Sequence, residues 1–160
     1  MEYSTTQKQS KQWIAFKGAI NEDSEVQFKE LHEKIGNSKE CIFNFSEVTN
    51  INSLGVRAWV NFLRSLEGGK KIRFKECPPE IIMQINMIPS FLGNAEVESF
   101  YVNYLCEICY KKEKKLVKTA RLEQNSIPRS PCCQAKNCGM QTEELEDEYF
   151  AFLRRPKQNR

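Results

Sequence analysis

The chain contains a single histidine, His32, set among Glu30, Glu33 and Lys34, and it reads as a solvated surface residue. No glycine-rich phosphate loop is present, and no titratable constellation has the spacing of a catalytic site, so the chain does not read as an enzyme. Long apolar runs are also missing. None would cross a bilayer, and Met1 to Gln7 lacks an apolar signal core, so a cytoplasmic protein is expected. A net charge of +3 is too small to argue for nucleic acid or an anionic membrane as partner. Seven cysteines, an odd number without an export signal, exclude a disulfide framework as the expected use.

What is present is an ordinary folding composition. With 40% apolar and 28% charged residues, 160 residues can supply one real core, as a domain of about a hundred residues plus a small appendage. The chain is organised around residues 40–55. Cys41 to Phe45 reads as a buried strand and a polar loop follows. Ser53-Leu54-Gly55 then opens a helix whose Val56, Trp59, Val60, Leu63 and Leu66 share one face until Gly68-Gly69. Ser53 stands at the helix start. There its hydroxyl would cap an orphan N–H, and an added phosphate would meet the positive end of the helix dipole.

Residues 1–12 are polar, a frayed segment or a weak edge strand. Trp13 to Ile20 is the first convincing strand. Ser24 with Gln27 three residues on is a capping box, predicting a helix with Val26, Leu31 and Ile35 inward and Gly36-Asn37 as its stop. Lys70 to Lys75 alternates as a half-exposed strand. Pro78-Pro79-Glu80 opens a helix with Ile81, Ile82, Ile85 and Ile88 facing the core and Met83 and Met87 as core filler. Val97 to Tyr104 reads as the last strand of this unit. Strands alternating with helices imply an α/β fold with a mainly parallel sheet and crossover helices.

The run Phe43-Asn44-Phe45-Ser46-Glu47-Val48, then Ile51-Asn52-Ser53-Leu54-Gly55, resembles a STAS domain, the fold of bacterial anti-sigma-factor antagonists. The turn-strand Gly68-Gly69-Lys70-Lys71-Ile72 and the helix start Cys77-Pro78-Pro79-Glu80 fit the same pattern, which covers residues 1–104. The resemblance implies a non-enzymatic protein-interaction module of partner-switching signalling. Its partner would be an anti-sigma-factor or kinase-like protein, docking through Asn50, Asn52, Ser53, Leu54, Arg57 and Asn61. The regulatory phosphoserine of such antagonists falls on Ser53. Their neighbouring aspartate falls on Asn52, which is a departure and puts the phosphorylation in question. A phosphate there would add about −1.5 to −2 charges at the centre of the surface and eject a partner fitted to a neutral serine.

Five of the cysteines lie between Cys106 and Cys138. Cys106-Glu107-Ile108-Cys109 is a C-x2-C knuckle, followed by a second, irregular group in Pro131-Cys132-Cys133 and Cys138-Gly139. Two pairs separated by a stretch too poor in apolar residues to form a core are what tetrahedral zinc requires. Cys106, Cys109, Cys133 and Cys138 are the expected ligands, with Cys132 as the substitute for Cys133; a redox C-x2-C and unligated thiols are the alternatives. The arrangement resembles a zinc ribbon on the end of a STAS domain, spanning residues 105–153. Its Tyr149, Phe150, Phe152 and Leu153 are expected to dock as a short helix, since exposing them would invite association. Residues 154–160 read as a disordered basic tail. A competing use of the ribbon is nucleic-acid binding through the run Lys111 to Lys118, diluted by its glutamates and by the acidic 143–148 segment. Self-association into a homo-oligomer is open.

Overall fold

In the computed structural model, β1 (Glu2–Lys8), β2 (Lys11–Ile20), β3 (Glu40–Ile51), β4 (Lys71–Lys75) and β5 (Glu96–Val97) form one sheet in the order β1-β2-β3-β4-β5. The structure describes residues 1–66, 68–122, 126–133 and 138–154, with Cys138 by its backbone only. β1 is an antiparallel edge strand on β2, and the remaining pairs are parallel. Cys41, Ile42 and Phe43 of β3 are all buried, on both faces, as a central parallel strand requires. β2 instead alternates, burying Ile14 and Phe16 toward the helices.

Helices α1 (Ser24–Ile35) and α2 (Ser53–Ser65) pack together on one face of the sheet. Trp59 of α2 is the hub. Its ring meets Phe16 at 5.8 Å, Phe43 at 5.4 Å, Phe45 at 5.4 Å and Phe74 at 5.5 Å. The indole N–H donates to the carbonyl of Phe91 at 2.9 Å, so the buried polar tip of Trp59 is satisfied by α4 (Pro89–Leu92). On the opposite face, Ile42 lies buried beneath a charged layer. Arg73 pairs with Glu40 and Glu98, and the Lys75 ammonium sits over the Trp13 ring.

Two register irregularities between β2 and β3 keep these strands together to their last residues, Ile20 opposite Ile51. Both strands therefore end side by side beneath the start of α2, which positions the groove described below.

α3 (Pro79–Met87) leads through α4 to β5, and after β5 the chain leaves the parallel sheet. β6 (Ser99–Leu105) is flanked by β7 (Lys112–Lys118) and β10 (Gln141–Thr142) in an antiparallel sheet, beside the short pair β8 (Cys132–Cys133) and β9 (Cys138–Gly139). The expected last strand of the first unit is thus split. β5 closes the parallel sheet and β6 founds the second one, touching the first through the backbone of Cys77. The chain ends on α5 (Glu146–Tyr149) and a 3-10 turn, Phe150–Arg154. Tyr149, Phe150 and Phe152 are buried against Phe100, with Leu153 half-buried, as the sequence led one to expect. The Tyr149 hydroxyl donates to the Tyr101 carbonyl, and Asn86 Nδ2 donates to the carbonyls of Glu148 and Tyr149. One buried cluster runs through both sheets, so the boundary expected near residue 104 falls inside a strand and inside a shared core. Arg154 pairs with Asp147, and residues 155–160 of the expected tail lie outside the described residues.

Several local expectations give way to tertiary context. The capping box of α1 does not form: Asp23 is the cap residue and makes no side-chain cap. Ser24 Oγ turns back to accept the Asn21 N–H at 3.0 Å. Val26 faces solvent and Phe28 takes its place in the core, stacked on Phe62 at 4.9 Å. Ile88 is half-buried just beyond the end of α3, Met87 is exposed, and Met83 packs at the margin of the core.

Candidate functional site

The residues expected to form the docking surface converge on the first turns of α2. Leu54, Arg57 and Asn61 follow one another along its outward side. With Ala58, with Glu22 from the turn before α1 and with Glu25 from its first turn, they line an open groove of about 260 Å³. Glu22 and Glu25 were invisible to sequence reasoning, because nothing in their own stretch says that α1 begins beside α2. Leu54 is 53% exposed, an apolar side chain presented among polar ones. Asn50 and Ser53 are exposed beside the groove without lining it.

Ser53 is not the cap. That role belongs to Asn52, whose Oδ1 accepts the Gly55 N–H at 2.8 Å while its backbone is extended. Ser53 is the first helical residue, exposed, and among the described residues its hydroxyl makes no hydrogen bond. The amide of Asn52 is used on both sides, since Nδ2 donates to Glu22 Oε2 at 2.9 Å. That hydrogen bond, ahead of one from the backbone of Glu22 itself, holds the Glu22 carboxyl below its ordinary range. An aspartate at 52 would cap equally well but would set carboxylate against carboxylate. Asn52 is therefore matched to Glu22 as an amide donor in a way an aspartate would not be. Arg57, one turn beyond Ser53, lies close enough to Glu25 to favour its ionised form, after the larger effect of the Lys29 ion pair at 2.9 Å.

Gly55 explains how closely this helix start sits on the sheet. A Cβ there would lie 2.2 Å from the Ile20 carbonyl oxygen and 2.6 Å from its carbon. The same carbonyl accepts the Asn52 N–H at 3.2 Å. The loop and helix start are thereby fixed to the end of β2.

The second constellation is the cysteine cluster. The sulfurs of Cys106, Cys109 and Cys133 all lie within 4.8 Å of one another, Cys109 to Cys133 at 3.3 Å. Cys106 and Cys133 are buried; Cys132, next in sequence, is exposed and outside the cluster, which answers which of the adjacent pair points inward. The knuckle is closed by its own backbone: the Tyr110 N–H donates to the Cys106 carbonyl at 2.8 Å and the Cys106 N–H to the Lys111 carbonyl at 2.9 Å. At Cys109 a hydrogen bond from the Lys111 backbone favours the thiolate. Those shared with Cys133 and Cys106 oppose it and leave the thiol above its ordinary range. Three thiols this close cannot all ionise without a cation among them. A tetrahedral ion with metal–sulfur bonds of about 2.3 Å needs sulfurs about 3.8 Å apart, so the trio fits a thiolate-bound metal. Cys138 stands directly opposite Cys133 in the β8–β9 register; its side chain lies outside the described residues. Cys77 and Cys41 are far from this site in character. Both are buried, and burial pushes the Cys41 thiol up to about 11 and Cys77 higher still, so they are inert core residues.

No family model matches the sequence, and no curated protein matches it. Among the described residues, no helix is long and apolar enough to cross a membrane.

Proposed function

We propose that the chain is a non-enzymatic protein-interaction module of bacterial signalling, a STAS-like scaffold that docks a partner on the first turns of α2. The observation that carries this reading is the groove at Leu54, Arg57 and Asn61, built where parallel strands β2 and β3 end side by side. Open α/β sheets bind ligands in the crevice outside the carboxyl ends of their strands, which is where this groove lies. A half-exposed leucine ringed by Arg57, Glu22 and Glu25 offers an apolar anchor with a charged rim, the anatomy of a protein interface. Ser53, exposed at the positive end of α2 and without a hydrogen bond among the described residues, is the residue whose phosphorylation would switch that surface. In this reading Cys106, Cys109, Cys133 and Cys138 hold a structural Zn2+ as a zinc ribbon. The ion would supply folding energy to a segment with little core of its own and leave no open coordination position.

The test is affinity capture from the native host with wild type, Ser53→Ala, Ser53→Asp and Leu54→Glu. The captured protein is rebound in purified form, and phosphate is read by intact mass. Wild type and Ser53→Ala are expected to hold the same partner and the other two to release it. Equal retention by all four, with thermal melts unchanged, would remove the α2 surface from the function.

A further inference from the structure

We propose that the tip of the cysteine knuckle and strand β7 form a binding surface for single-stranded nucleic acid. The starting point is Tyr110. It follows the second cysteine of the knuckle with φ at 57°, in the left-handed region that favours glycine, yet its ring is 77% exposed. Neither backbone preference nor packing accounts for a tyrosine there. Ile108, one residue before Cys109, is 62% exposed on the same turn. A rigid turn carrying an aromatic ring and an aliphatic side chain into solvent is a stacking platform, on which bases of any sequence can lie.

The charge beside it has the right sign. Residues 111–121 carry six basic side chains, Lys111, Lys112, Lys114, Lys115, Lys118 and Arg121, against the one acid Glu113. The chain as a whole is only +3, so this stretch holds the entire excess. β7 is the edge of its sheet, in the order β10-β6-β7, and its alternation presents Lys112, Lys114 and Lys118 as exposed side chains in line with Leu116. Acidic neighbours are present and do not cancel the row. Glu143 takes Lys112 at 2.6 Å and Glu113 takes Lys115 at 3.3 Å, while Lys114 lies over the Tyr101 ring at 4.1 Å. Lys111, Lys118 and Arg121 meet no acidic side chain within ion-pair distance among the described residues. Exposed lysines tracking a backbone beside an exposed ring are how sequence-tolerant single-strand binders work. This surface and the α2 groove involve different residues, so either can fail without the other.

The experiment uses the full chain as purified, with fluorescence anisotropy of labelled oligo-uridine and oligo-thymidine across a salt series. Salt-dependent binding of either probe is expected. Tyr110→Gly suits the left-handed backbone and so keeps the fold, checked by melting and by metal content; it should weaken binding about tenfold. Replacing Lys114 and Lys118 together by Ala should flatten the slope of log affinity on log salt by about 1.4, two phosphate contacts' worth for a single strand. Absence of binding, binding that Tyr110→Gly leaves unchanged, or binding to phosphatidylserine vesicles in place of the oligonucleotides would overturn the proposal.

Discussion

Replacing Gly55 by Ala sets two effects of opposite sign against each other. In a helix interior alanine is favoured over glycine by about 1 kcal/mol. At this position the added methyl would stand 2.2 Å from the Ile20 carbonyl oxygen and 2.9 Å from the Asn21 nitrogen, both backbone atoms with no rotamer to escape into. The first turn of α2 must therefore withdraw by roughly 1 Å, an overpacking cost of about 1–3 kcal/mol. The withdrawal also stretches the bond from the Asn52 N–H to the Ile20 carbonyl, worth about 1 kcal/mol. The clash wins, with a net loss of about 2 kcal/mol, or a fall in Tm of about 4–8 °C for a chain of this size. Thermal and urea melts measure it, with Asn61→Ala in the same helix as the control. Asn61 is exposed, so that control tests propensity alone and should gain a few tenths of a kcal/mol. If Gly55→Ala were as stable as wild type while the control behaved as stated, the close seating of α2 on β2 would be wrong. Since the same turn carries Ser53 and Leu54, the variant should also weaken partner capture.

Intact mass under native conditions should show one zinc per chain that is lost in Cys133→Ser and kept in Cys132→Ser, because only Cys133 joins the sulfur cluster. Phe152→Ala removes a buried ring 5.0 Å from Phe100 and should cost about 3–5 kcal/mol, read as a lower urea midpoint with the far-UV spectrum retained. Burial, ahead of the opposing hydrogen bonds from its own backbone and Asn103, raises the Glu144 carboxyl, and its Oε2 has no partner among the described residues. A raised acid destabilises the fold once pH exceeds its unfolded value and stops doing so as it is protonated in the folded state. Glu144→Gln should therefore melt higher than wild type at pH 7, and the gap should close as pH falls through the carboxylate range. Asn52→Asp keeps the α2 cap but replaces an amide donor with a second carboxylate. NMR titration should show Glu22 protonating at higher pH than in wild type.

Elements whose local signals agree with their burial were legible in the residues alone. The apolar run of β3 must be a central strand because Cys41, Ile42 and Phe43 have no polar face to show water. The 3.6-residue stripe from Val56 to Leu66 could bury only one way, and the C-x2-C spacing brought Cys106 and Cys109 to one turn. Features that depend on neighbours distant in sequence were not legible there. Asn52 displaced Ser53 as the cap because Glu22, thirty residues earlier, supports its amide. Phe28 displaced Val26 because the space beneath α1 is shaped by Phe62 and Trp59 of another helix. β6 left the parallel sheet although its own sequence reads like any buried strand, because a strand carries no record of its partner; backbone pairing with Lys112–Lys118 fixed it. Cys133 was separated from Cys132 for the same reason: adjacent residues on a strand point to opposite faces, and only the fold says which face holds the other sulfurs.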